Sequence, residues 1–129
     1  MAKLPLVARI LLGLIFTVFG VMGLFQLGPQ PELEGQAADF MNGLVGSGYF
    51  WPMLKIAEIA CGLLLLSGMG VPLALVILAP VTTNIVAFHL FLEPATMAIA
   101  VVMLVLHLYL GYAYRSSFAE VLNRKAQPG

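Results

Sequence analysis

The sequence has 129 residues, of which 61% are hydrophobic and 9% are charged, and its mean hydropathy is +1.02. A soluble domain carries about a quarter charged residues, so this composition excludes an ordinary soluble domain. The six basic and six acidic residues cancel, but a net charge of zero by itself says nothing about nucleic-acid or acidic partners. We expect no nucleic-acid partner. The single cysteine excludes an internal disulfide and a dithiol mechanism within one chain.

The first long apolar run covers residues 4–27 and contains Arg9. A helix needs about 20 apolar residues to cross a bilayer, so this run predicts a membrane span. Lys3 resembles the positive start of a signal peptide. However, the run is longer than a signal-peptide core, Arg9 interrupts it, and no A-x-A-like cleavage site follows. We therefore expect the run to be retained as a true span.

The linker at residues 28–48 begins with a Gly- and Pro-containing turn signal. Apolar residues then recur at helical spacing over residues 36–45, which predicts a short amphipathic helix lying on the membrane surface. The alternative is a partly ordered connector that tucks its apolar groups away. Residues 49–51, which are Tyr, Phe and Trp, fall where an interfacial aromatic belt is expected.

Three further apolar runs cover residues 49–69, 71–92 and 95–114, with Gly- or Pro-containing turns between them. Each is about twice the length of a barrel strand and lacks strict alternation, which argues against strands. The two short connections require antiparallel neighbours. The sequence thus predicts an all-α bundle of four transmembrane helices, formed by a single domain over residues 1–129.

Basic residues outside the hydrocarbon core of the membrane are expected only near the two ends of the chain. They are Lys3, Arg9, Arg115, Arg124 and Lys125. The charged residues of the linker at 28–48 are all acidic. The positive-inside rule therefore places both termini in the cytoplasm and this linker outside.

Polar side chains inside the spans are the candidates for function, because charged groups in hydrocarbon face the bundle interior or a wet cavity. The candidates are Arg9, Lys55, Glu58, Asn84 and His107. Lys55 and Glu58 are three residues apart, on one face of a helix. One interpretation is an ion pair that neutralises itself; the other is a ligand, proton or quinone pocket near the middle of the membrane.

Helical rise gives the depth of each candidate. Glu58 comes out about 14 Å from the outer end of its span, close to the midplane. Asn84 lies at a level similar to Lys55, and His107 lies slightly to the inner side of Glu58. Arg9 starts near the inner surface with a side chain long enough to point towards Glu58. We therefore expect one polar network from all four spans, in which Glu58 bridges Lys55 and Arg9.

The other polar residues have simpler interpretations. His89 and Glu93 are four residues apart and can hydrogen-bond at the outer surface; a metal site would need further ligands, so none is expected. Cys61 lies in an apolar helix without a neighbour that stabilises a thiolate, so we expect it to be inert.

One face of the first span carries mostly small residues. This stripe consists of Arg9, Gly13, Phe16, Gly20 and Gly23. Small residues let membrane helices approach closely, so we expect the stripe to contact the second span around Glu58 and Gly62. The alternative is a homodimer face.

Three segments form an ordered pattern along the chain. They are Arg9-x-x-Leu12-Gly13-x-x-Phe16-x-x-x-Gly20, Lys55-x-x-Glu58-x-x-x-Gly62, and residues 84–92. Their order and spacing resemble those of DoxX-like membrane proteins over nearly the whole chain. The resemblance implies a four-helix bundle in a bacterial inner membrane.

The resemblance also implies several activities. Some DoxX-like proteins are linked to thiosulfate oxidation with quinone as acceptor, some to redox-defence complexes, and some animal relatives to the assembly of membrane receptors. A shared architecture transfers none of these by itself.

Two functional hypotheses follow. One is a non-enzymatic module that binds a lipid-like ligand or a partner membrane protein, or forms a homo-oligomer, through a polar-lined core. The other is a quinone-linked oxidoreductase subunit. The sequence contains no recognisable redox centre, which favours the first and predicts no cofactor except a quinone under the second.

Overall fold

The computed structural model describes residues 3–28 and 32–129, and the secondary structure in these ranges is entirely helical. The α-helices are α1 (Lys3–Phe25), α2 (Gly35–Gly46), α3 (Phe50–Ser67), α4 (Val71–Phe91) and α5 (Met97–Ala113), and short 3-10 helices cover Pro94–Thr96 and Arg115–Phe118. Helices α1, α3, α4 and α5, the last with its preceding 3-10 turn, are long and apolar enough to cross a membrane. The predicted all-α fold with four spans is confirmed.

Glycines make the reversal between α3 and α4 short. Gly68 ends α3 with φ of +79°, and its N–H donates to the Leu64 carbonyl at 3.0 Å. Gly70 precedes α4 with φ of +65°. Glycine adopts these left-handed conformations without a Cβ penalty. Pro72 follows in the first turn of α4, where a missing N–H costs nothing.

The four long helices form a ring in the order α1, α3, α4, α5. Helix α1 packs most extensively against α3, α4 packs against α5, and α5 returns to α1. Successive spans run antiparallel. Helix α2 touches α3 only slightly, but it reaches α4 through Phe40, whose ring centroid lies 5.6 Å from that of Phe88.

The buried core is distributed unevenly along the bundle. We call the half that contains residue 3, the Gly68–Gly70 turn and the end of α5 the terminal half, and the half that carries α2 the α2 half. Most buried apolar side chains occupy the terminal half, namely Ala8, Leu12, Phe16, Cys61, Leu65, Val71, Ala74, Leu75, Leu78 and Leu110. Close packing of this kind gives a helical bundle its rigidity.

Helices α1 and α3 meet through the predicted stripe of small residues. A Cβ added to Gly62 would lie 2.8 Å from the backbone nitrogen of Thr17 and 3.0 Å from the carbonyl oxygen of Gly13. Gly20 and Gly23 face the same helix farther along. The expectation that the stripe contacts the second span is therefore confirmed, and the two backbones are too close for larger side chains.

The linker between the first two spans contains the expected helix. It was predicted over residues 36–45 and is present as α2, Gly35–Gly46, in which Ala37 is buried. Its location at a membrane surface stays a prediction, as does the cytoplasmic location of both termini.

Candidate functional site

A cavity of about 510 Å³ lies in the α2 half, between α3 and α4 and beneath α2. Its aromatic wall residues are Phe19, Phe40, Phe50, Trp51 and Phe88. Most of the remaining wall is formed by aliphatic side chains, together with Met41 and Met103. Small-molecule sites typically have volumes of about 300–1,000 Å³ and apolar walls with a few polar groups, so this cavity has the size and chemistry of a binding site.

An ion pair forms the deepest polar part of the wall on α3. The ammonium nitrogen of Lys55 lies 3.3 Å and 3.4 Å from the two carboxylate oxygens of Glu58. Glu58 is only 3% exposed. The predicted pairing of these two residues is present, and each charge neutralises the other where hydrocarbon would otherwise make both costly.

Trp51 connects the ion pair to α1. The Lys55 ammonium lies 4.4 Å from the centre of the Trp51 ring, a cation–π distance. The indole N–H donates to the Gly23 carbonyl at 2.9 Å. Gly23 is in the last turn of α1, where carbonyls lack partners within the helix. Trp51, the single tryptophan of the sequence, therefore caps α1, covers Lys55 and lines the cavity.

Two polar residues of α4 line the cavity from the opposite side. The Asn84 side chain is exposed there and makes no hydrogen bond to any residue in the described ranges. His89 Nδ1 lies 2.8 Å from the Ile85 carbonyl oxygen. A carbonyl can only accept, so Nδ1 carries the proton and, in the neutral ring, Nε2 is left as an acceptor.

The cavity continues towards the end of the α2 half. A smaller pocket of about 230 Å³ shares Met41, Phe88 and His89 with it and is also lined by Glu32 and Glu93. We call this smaller pocket the acidic mouth. The sequence had suggested a hydrogen bond between His89 and Glu93; no such bond is present in the part of the chain that the structure describes, and His89 faces both pockets.

Arg9 lies away from the cavity. A Cβ on Gly68 would overlap the Arg9 guanidinium, so this side chain lies directly against the end of α3. Gly68 is ten residues from Glu58, about 15 Å along a helix. The predicted bridge between Arg9 and Glu58 is wrong. The contact of Gly13 with Gly62 sets the register of α1 on α3, and it places Arg9 where the α3 dipole attracts a cation.

His107 also lies outside the cavity wall. Its Nε2–H donates to the Leu75 carbonyl at 3.0 Å, and its Nδ1 accepts from the Thr82 hydroxyl at 2.8 Å. Both partners are on α4, on either side of Pro80. His107 therefore ties α5 to α4, and the expected single network from all four spans is replaced by separate polar contacts.

Three of the five candidate residues therefore share the cavity: Lys55, Glu58 and Asn84.

A family model described as DoxX matches residues 4–113. The chain belongs to the DoxX family. The match covers the four spans and every residue that lines the cavity. This DoxX protein is a multi-pass integral membrane protein. No curated protein and no solved structure matches the chain.

Proposed function

We propose that this DoxX protein is a non-enzymatic membrane module that binds a lipid-like molecule in the cavity beneath α2. The observation that carries the proposal is the cavity itself, about 510 Å³ in volume, with apolar walls that reach a buried ion pair. In this proposal the protein resides in a bacterial inner membrane, as the family suggests, and the distribution of basic residues favours an orientation with the cavity towards the outer face.

In this proposal the ion pair contributes to ligand binding and takes no part in a chemical reaction. Lys55 and Glu58 neutralise each other, and Trp51 covers the ammonium, so the pair is stable before any ligand arrives. The two interpretations drawn from the sequence, a self-neutralised pair and a ligand pocket, are compatible in this geometry. The pair provides a polar floor, and the aromatic side chains provide the walls against which an apolar ligand packs.

Native mass spectrometry of detergent-purified protein tests the proposal. We expect a lipid-like mass to accompany the wild-type chain. Val81→Phe adds a ring to the cavity wall and should displace that mass. Val76→Phe is the matched control, because Val76 is on the same helix, is 49% exposed and lies outside the cavity.

Each result has a defined meaning. Loss of the bound mass in Val81→Phe and its retention in Val76→Phe would support the proposal. Equal binding by both variants would refute a ligand in this cavity. A bound quinone would favour the quinone-linked oxidoreductase subunit, and a stoichiometric protein in place of a small molecule would favour a partner-binding role.

A further inference from the structure

We propose that the ligand is an uncharged glycerolipid with a free hydroxyl group, such as a diacylglycerol, and that Asn84 and His89 select it. This inference rests on the proposed function, because it assigns a chemical class to the molecule in the same cavity. It depends on which charges and hydrogen-bonding groups of the wall are already satisfied.

The charges of the wall disfavour a charged headgroup. The cation in the cavity, Lys55, is held between the Glu58 carboxylate and the Trp51 ring, so it is not free to pair with a phosphate. The acidic mouth adds the carboxylates of Glu32 and Glu93, which repel anionic headgroups. A cationic headgroup would lose its hydration in the apolar cavity, where the Glu58 carboxylate is already paired with Lys55.

The uncommitted polar groups instead fit neutral oxygen functions. His89 Nε2 is an acceptor, because Nδ1–H is used by the Ile85 carbonyl, so it can accept the proton of a ligand hydroxyl. Asn84 lies five residues deeper on α4, about 7.5 Å by helical rise. Its NH₂ group can donate to a second oxygen at that depth, such as an ester carbonyl.

The size of the cavity fits one end of such a molecule. A volume of about 510 Å³ is within the range of about 300–1,000 Å³ of small-molecule sites, enough for a glycerol group and the first part of two acyl chains. Asn84 is exposed and lines the cavity, so its amide can reach a molecule bound there. In this proposal the remainder of each acyl chain extends out of the cavity into the bilayer.

The single tryptophan makes the inference measurable, because Trp51 is in the cavity wall and bromine quenches indole fluorescence at short range. The full chain is reconstituted in phosphatidylcholine vesicles and titrated with three brominated probes that have the same acyl chains. These probes are a diacylglycerol, its acetylated form without the hydroxyl, and a phosphatidylglycerol. We expect half-maximal quenching by the diacylglycerol at a mole fraction about 3- to 10-fold lower than by either other probe, as one or two hydrogen bonds predict.

Two variants identify the selecting residues. Asn84→Leu and His89→Phe remove the polar groups but preserve much of the volume, and each should reduce the preference for diacylglycerol over its acetylated form. Thr83→Val is the matched control, because the Thr83 hydroxyl already donates to the Ala79 carbonyl and lies outside the cavity wall. The preference is a ratio within one variant, so a general loss of folded protein does not imitate the expected result.

Failure of this inference differs from failure of the proposed function. Equal quenching by all three probes would mean occupancy by bulk lipid and would overturn the selection of hydroxyl-bearing lipids. Stronger quenching by phosphatidylglycerol would also overturn it, although binding in the cavity would stand. Absence of quenching by every probe would refute the proposed function itself.

Discussion

The two halves of the bundle use the same helices differently. In the terminal half, α3 contributes the fully buried Leu65 and α4 contributes Leu78, with no exposed surface on either. In the α2 half, the same helices contribute Leu54 and Ile85 to the wall of a cavity. The comparison indicates that close packing at one end lets the bundle tolerate a cavity at the other, so the packed core and the proposed binding site have separate locations.

The largest expected effect concerns the ion pair of Lys55 and Glu58, which lies on α3 near the level where the two halves meet. Glu58→Gln leaves the Lys55 ammonium buried without its counter-ion, and breaking a buried pair costs about 3–5 kcal/mol in soluble proteins. The neutral double change Lys55→Met with Glu58→Gln should be less damaging than Glu58→Gln alone. Thermal unfolding of the purified variants measures both. A double variant clearly worse than the single one would show that the two residues are not energetically paired.

The next prediction compares the packing of the two halves directly, by making the same leucine-to-alanine substitution at two positions on α3. Leu65→Ala removes a side chain that is fully enclosed and should cost about 2–5 kcal/mol of the unfolding free energy. Leu54→Ala only enlarges an existing cavity, so its side chain has fewer contacts to lose. Denaturant titration in the same detergent provides the comparison. Equal losses would remove the distinction between the halves.

A smaller effect is expected at the contact of α1 with α3. Gly62→Ala places a Cβ against backbone atoms of α1 and should cost about 1–3 kcal/mol, as overpacking does. Gly111→Ala is the control, because no atom lies within 4 Å of its added Cβ, and its higher helix propensity contributes up to about 1 kcal/mol of stability. Thermal unfolding should therefore move in opposite directions. A stable Gly62→Ala variant would show that the two helices can separate without loss.

The smallest effect concerns α2, the helix that covers the cavity. Its few contacts predict local opening at a low free energy, so its amides should exchange faster than those of α3 but more slowly than those of residues 32–34. Hydrogen exchange followed by mass spectrometry in lipid measures this order. If the amides of α2 exchange as fast as those of residues 32–34, this segment is a connector and not a stable helix.

The features that could be predicted from the sequence are those with a local physical cause. The four spans follow from apolar length, and the pair of Lys55 and Glu58 follows from a spacing of three residues on one helix. The position of Arg9 could not be predicted in this way, because it depends on the register between two helices. The positions of the glycines indicate this register, because an antiparallel contact of Gly13 with Gly62 places Arg9 beside the end of α3.

Other parts of the site depend on contacts distant in the sequence. Phe40 meets Phe88 only because α2 folds back over α4, and His89 joins the cavity wall for the same reason. The amphipathic pattern of α2 predicts a helix but does not determine which span it covers. His107 likewise finds its partners on α4 through the rotation of α5, which no local spacing specifies.

The position of the ion pair within a single helix has a consequence for biosynthesis. Synthesis proceeds from the N-terminus, so α1 and α3 enter the membrane before α4. Lys55 and Glu58 can neutralise each other as soon as α3 inserts, and the glycine contact with α1 can form at the same stage. Asn84 and Phe88 arrive later, on α4. The cavity is therefore completed after the charges in its wall are neutralised, and the proposed ligand would stabilise the finished protein relative to its assembly intermediates.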